Sequence, residues 1–279
     1  MLRELALVIT LLLLYKYARF LGKDHVSAAL SNARDVIGIE RSLGLFSEAR
    51  LQDLVLHDTG LIRFLNVYYL LAHAAVTAAA FIWLYWRHPP TYRRFRNVMI
   101  VITMAGMAVH LLMPLAPPRM FPDLGFVDTA RVFGPASYGA GSPYKGFANQ
   151  FAAMPSLHFG WALVIAWAVL IATKSKWRFL VIAHPVITLA AIVLTANHYW
   201  LDAVVATFLF GIALGVDWFI ERRRNRRIEV RTRVAAETAA LAARSAASIP
   251  DSPSTYRPRA PRAPAGSSAG GCRQARSQH

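Results

Sequence analysis

A chain of 279 residues that is 56% apolar and only 16% charged falls well short of the roughly one-quarter charged residues of soluble domains, which excludes an ordinary soluble enzyme and points to a membrane protein. The formal charge of +16 would suit nucleic acid, but from residue 221 onward 13 Lys and Arg face 4 Asp and Glu, so more than half of the excess sits in one tail. The single cysteine, Cys272, also lies there and excludes an internal disulfide and a cysteine metal cluster.

A hydrocarbon core needs about 20 apolar residues in helix. The first candidate span, about 3–21, is interrupted by Lys16 and Arg19; no small-x-small cleavage site follows "YKYARFLGK", so it reads as a retained anchor rather than a signal peptide. Next comes "LGLFSEARLQDLVLH", which mixes apolar and charged residues at helical spacing and is read as a packing element rather than a helix lying on the membrane surface. Span two covers about 62–86 and carries Asn66, Tyr68, Tyr69 and His73; span three covers about 97–115 and carries His110. Such residues either recognise a polar headgroup or join helices by hydrogen bonds, the second being the commoner use. A loop, 116–154, leads to span four at about 155–173, span five at about 178–197 and span six at about 199–220. The expected fold is all-α: a six-helix membrane domain over 1–220, followed by a basic and largely disordered tail over 221–279.

Short loops rich in Lys and Arg stay cytoplasmic. Arg87, Arg93, Arg94 and Arg96 between spans two and three, Lys174, Lys176 and Arg178 between spans four and five, and the arginines after span six therefore share one side. Both termini then face the cytoplasm, while the loop 116–154 and the turn near 197 face outward, in a multi-pass protein of the cell membrane. Arginines abutting a span take anionic lipid headgroups as their partner in preference to nucleic acid.

Two polar clusters interrupt the apolar pattern. In "AAMPSLHFGWALV", Pro155 suits a first helical turn, and Ser156 and His158 then sit at the outward end of span four. A helix start favours an anion such as phosphate; a Ser cap with a His at headgroup level is the plainer reading. In "NHYWLDAVVA", His198 and Asp202 are four apart and share a helix face, either as a structural pair or as a functional one. Both clusters fall at the outward ends of their spans, which argues for one site. No acidic cluster is present to hold magnesium. A His held by a carboxylate offers its other nitrogen as nucleophile or base, and a second His can protonate a leaving oxygen. Phosphoryl transfer through a phosphohistidine uses these parts, without a metal or other cofactor. A proton-relaying transporter, a silent scaffold and a metal bound by His158, His198 and Asp202 are the competing readings.

"MPSLH" and, some forty residues on, "NHYWLD" resemble the second and third motifs of the type-2 phosphatidic acid phosphatase superfamily, over roughly residues 60–215. The resemblance implies a six-helix membrane fold and metal-independent cleavage or transfer of lipid-linked phosphate. It implies that His198 attacks phosphorus, Asp202 orients it, His158 protonates the leaving group and Ser156 contacts phosphate. The first motif of that superfamily, a Lys, six further residues and then Arg-Pro, meets Leu112 and then Arg119 followed by Met; the Ser-Arg ahead of the third-motif His meets Ala191 and Ile192. This thinner pattern is similar to the inositol phosphorylceramide synthase branch, whose members also transfer phospho-headgroups to acceptor alcohols. Arg119, stiffened by two prolines, is the expected phosphate-binding cation. Arg131 and Lys145 are further candidates, and Asn149 can donate to phosphate or substrate.

Overall fold

The computed structural model describes residues 26–135 and 150–247. The expected span at 3–21, together with Lys145 and Asn149, lies outside them. The described residues fall into two compact units, divided between Arg224 and Asn225. The helices are α1 (Val26–Ser42), α2 (Glu48–Val55), α3 (Thr59–Val67), α4 (His73–Arg87), α5 (Pro89–Leu112), α6 (Thr129–Phe133), α7 (Leu157–Ala172), α8 (Ala183–Leu194) and α9 (Trp200–Ala247). A π-helical turn, Tyr68–Ala72, joins α3 to α4, and a 3-10 stretch, Lys176–Ile182, leads into α8.

Four helices among the described residues are long and apolar enough to cross a membrane: Thr59–Arg87, Pro89–Leu112, Lys176–Leu194 and Trp200–Arg244. They fall on the expected spans two, three, five and six. The expected fourth span is a shorter apolar helix, Leu157–Ala172, because polar residues bound it at both ends. Ser156 accepts the Phe159 N–H at its start, and Thr173 and Lys174 leave the helix at its finish. Among the described residues the chain is thus an all-helical membrane protein with four helices long enough to span and one shorter apolar helix. Helix α9 continues past residue 220, where the sequence places the end of the membrane domain. From Arg222 to Arg244 every residue is exposed.

Packing in the first unit is closest between α5 and α7. A Cβ on Gly160 would meet Ile102 Cδ1 at 2.9 Å, and one on Gly106 would meet Leu157 Cδ2 at 2.6 Å, so these two glycines let the helices approach. Helix α4 packs on the same pair, and α7 packs on α8. Far from the motif residues, Arg94 on α5 bonds Asp217 on α9 at 2.8 Å, with the Asp217 side chain only 1% exposed. Removing one partner of a charge-assisted bond costs about 1.5–3 kcal/mol. Asp217→Asn should accordingly lower the thermal midpoint in detergent and leave KM unchanged; an unaltered midpoint would show that the pair contributes nothing.

Helices α1 and α2 form a base beneath the loops. Ala29, Ala33, Val36 and Ile37 of α1 join Leu115, Ala116, Phe121, Phe126, Met154 and Tyr199 in one buried cluster. Gln52 of α2, fully buried, donates to Val127 O at 3.0 Å and Leu194 O at 3.2 Å and accepts the Val127 N–H at 2.9 Å. The segment containing α2 is a packing element, and it ties the loop after α5 to the end of α8.

Candidate active site

The turn between α8 and α9 sets the site. Helix α8 ends in a Schellman arrangement: the Ala196 N–H donates to Val193 O at 2.9 Å and the Asn197 N–H to Ile192 O at 3.0 Å. Ala196 adopts φ +53°, a conformation usually left to glycine. Its Cβ is fully buried in the cluster around Tyr199, which accounts for alanine at this position. The reversal delivers Asn197 and His198, and α9 begins at once with Trp200.

His198 and Asp202 meet as their spacing implies, and both are buried, Asp202 completely. His198 Nδ1 lies 3.1 Å from Asp202 Oδ2 and 2.7 Å from Ala153 O. Both partners are acceptors, so Nδ1 carries the ring proton and Nε2 keeps its lone pair. Asp202 Oδ2 also accepts the Tyr199 N–H at 3.0 Å. Burial pushes the Tyr199 hydroxyl far above its ordinary range, with Asp202 and two further carboxylates adding to the shift; it stays protonated and donates to Ala116 O at 3.2 Å.

The second motif reaches the same place by main-chain contacts. Leu115 pairs with the 151–153 strand-like segment through the Leu115 N–H to Phe151 O at 2.7 Å and the Ala153 N–H to Leu115 O at 3.3 Å. That pairing aims Ala153 O at His198. His110 of α5 holds Pro155 O at 3.1 Å, and the Ser156 N–H donates to the main-chain oxygen of Asp202 at 3.2 Å. Ser156, fully buried, caps α7. The His158 and His198 rings stand 6.3 Å apart, centroid to centroid.

Two side chains of the π-helical region complete the wall. Tyr69 stacks on His158 at 4.2 Å with 27° between planes, and His73 tilts against the same ring at 4.5 Å while stacking on Trp161 at 5.1 Å. Wider turns of this kind recur at functional sites, and here the widening brings Tyr69 and His73 onto one histidine. The headgroup-or-packing question raised by the sequence resolves for these two into contact with His158. Tyr68 instead bonds His184 at 2.6 Å and Asn66 donates to Gly134 O at 3.0 Å, so both act between elements.

Arg119 is 9% exposed. Its main-chain N–H donates to Ala196 O at 2.9 Å and its guanidinium to Asn197 Oδ1 at 2.6 Å. The cation expected at phosphate is therefore anchored beside the residue preceding His198. Asn197, whose amide also donates to Thr195 Oγ1 at 2.6 Å, is a site component that the sequence reading quoted without assigning. Arg131 is not joined to this cluster: it is exposed on α6, which packs against α3. Leu112 is exposed at the end of α5, and Ala191 and Ile192 are fully buried core, so the positions where the superfamily carries Lys and Ser-Arg do packing or surface work here. Among the described residues no group of three His, Cys, Asp or Glu is placed to hold a metal ion.

A family model for the PAP2 superfamily matches residues 34–216, a region that holds every contact just described. The chain belongs to the PAP2 superfamily. No curated protein and no solved structure matches it. The PAP2 match starts inside α1 and ends inside α9, and so takes in the α1–α2 base as well as the spans. Membership of the PAP2 superfamily points to phosphoryl transfer of the lipid phosphatase type, and the long apolar helices put that chemistry at a bilayer.

Proposed function

We propose that this PAP2 protein cleaves or transfers the phosphate of a membrane lipid through a transient phosphohistidine on His198, without a metal ion. One observation carries the reading: His198 Nδ1 is occupied by Ala153 O and Asp202 Oδ2, which orients a basic Nε2 for attack. Asp202 holds the ring and stabilises the positive charge that develops on it. In the first step the Nε2–P bond forms, the P–O bond to the lipid breaks, and His158 gives its proton to the departing oxygen. In the second, water or an alcohol attacks phosphorus, His158 takes the proton and the N–P bond breaks. Ser156 donates its hydroxyl hydrogen to a phosphate oxygen, and Arg119 neutralises phosphate charge from its anchor on Asn197. Lys145 and Asn149, in the loop ahead of the second motif, are further substrate-binding residues in this reading.

The proline-rich approach to α7 and the short "NHYWLD" favour the inositol phosphorylceramide synthase-like branch and hence an alcohol acceptor of the inositol type. The basic loops place the site on the outward face of the cell membrane, with the arginines after residue 221 on anionic lipid inside. The experiment is to incubate purified protein with phosphatidic acid, a polyprenyl diphosphate and an inositol phospholipid, with and without inositol, in the presence of EDTA. Free phosphate and lipid products are followed together. Turnover that survives EDTA is expected, with added inositol diverting the phosphoryl group from free phosphate to water-soluble inositol phosphate, which is followed alongside the dephosphorylated lipid. No release from any of the three lipids would overturn the reading; release that EDTA abolishes would overturn metal independence.

A further inference from the structure

The start of α9 is held by two carboxylates from outside the spans. The Leu201 N–H donates to Glu40 Oε1 at 2.8 Å, and the Trp200 N–H donates to Glu48 Oε1 at 3.2 Å. Glu48 Oε2 accepts the Ser47 N–H at 2.9 Å, and the Trp200 indole N–H donates to Ser47 Oγ at 3.2 Å. Both glutamates are fully buried. First-turn N–H groups have no partner within their own helix, and one side-chain cap normally suffices. Here consecutive main-chain N–H groups from 199 to 201 are taken by Asp202, Glu48 and Glu40 in turn, on the segment that lies between His198 and Asp202.

We propose that Glu40 and Glu48 act as a positioning pair for the His198–Asp202 dyad, gripping two of the three N–H groups that lie between its members. This rests on the reading of His198 as the reacting group. Two buried negative charges side by side would repel, and the hydrogen bonds show how the pair avoids it. Both oxygens of Glu48 accept N–H groups, whereas Glu40 Oε2 is buried and, among the described residues, no N–H or O–H reaches it. A proton on Glu40 Oε2 turns that oxygen into a donor to Glu48. Burial pushes the Glu40 carboxyl up to about 9, the hydrogen bond to Glu48 and the charges of Glu48 and Asp202 adding to the shift while the Leu201 N–H opposes it. The titratable groups facing the pair are Asp202 and Tyr199 from the α9 side, with Arg119 acting on Tyr199 from beyond.

An asymmetry follows that simple space-filling would not produce. Glutamine at 40 can accept from Leu201 and donate to Glu48, reproducing the protonated acid. Glutamine at 48 must set an NH2 against an N–H. In the full-length protein assayed on phosphatidic acid micelles, Glu48→Gln should lose roughly 100-fold in kcat, the cost of a displaced reacting group, with KM little changed. Glu40→Gln should keep most of the kcat near neutrality and should stay active above pH 9, where the native protein declines as Glu40 ionises. Stability gives a second readout independent of turnover. A carboxyl whose folded value is raised stabilises the fold below its ordinary value of 4.5, and that contribution is lost as pH climbs to about 9. The native thermal midpoint should fall across that window and the Glu40→Gln midpoint should stay flat.

Equal losses in the two glutamine variants, native kcat in Glu48→Gln, or an unchanged alkaline limb in Glu40→Gln would each overturn the proposal. Should Glu48→Gln fail to fold, the alkaline limb of kcat in Glu40→Gln decides. Full activity of a His198 variant would instead remove the reaction centre on which the pair is argued to act, leaving its effect on stability in place.

Discussion

His198→Ala is expected to reduce kcat by roughly 10⁴-fold or more, the scale seen when a nucleophile or its orienting carboxylate is removed from a catalytic triad. Among the described residues of the site, His198 is the imidazole whose Nδ1 is held by a carboxylate, so its loss removes the proposed carrier of phosphorus. Asp202→Asn should be nearly as harmful. An amide at 202 can offer an N–H to Nδ1, which would move the ring proton to Nε2 and leave the attacking nitrogen without its lone pair. Two measurements check this together: steady-state turnover, and acid-labile but alkali-stable label on the protein after a brief reaction with lipid carrying radioactive phosphate. Label on native protein and none on His198→Ala is the expected pair of results. Label retained in the variant would place the covalent step elsewhere. Because His198 is packed between Ala153 O and Asp202, a thermal midpoint for each variant separates chemistry from unfolding.

The second large effect belongs to His158. As general acid it contributes about 10²–10⁴-fold, and the contribution depends on how badly the leaving oxygen needs a proton. His158→Ala should lose the upper end of that range with an alkyl phosphate and little with an aryl phosphate such as p-nitrophenyl phosphate, whose oxygen leaves as a stable anion. Equal losses on the two substrates would reassign His158 to binding. Its ring is stacked on Tyr69 and tilted against His73, so the same comparison in Tyr69→Phe serves as a control: the stacking face is retained, and no change in the alkyl-to-aryl ratio is expected.

Parts of this site are legible in the chain itself because they are local. His198 and Asp202 are one helical turn apart, and Ser156 followed by an apolar run is a cap by residue type alone. The long apolar stretches mark the spans because hydropathy summed over 18 or more residues outweighs local detail. The helix Leu157–Ala172 falls within the expected segment at 155–173, and its limits are set by single capping and polar residues, which a window average blurs.

Other parts depend on residues far apart in sequence. Nothing in the neighbourhood of Ala196 announces a left-handed turn, since the usual glycine is replaced by an alanine whose methyl is needed in the core. Arg119 reaches Asn197 across 78 positions, and Ala153 O meets His198 across 45. Nothing local to Glu40 or Glu48 marks either for burial, yet both are fully buried, each accepting a main-chain N–H from the first turn of α9. Composition, hydrophobic period and the two short motifs therefore determined the membrane setting, the helical class and the pairing of His198 with Asp202. Only the tertiary structure decided which nitrogen of His198 is bonded, that Arg119 is anchored on the neighbouring Asn197 and what holds the start of α9 in place, because hydrogen-bond partners are chosen by proximity in the fold.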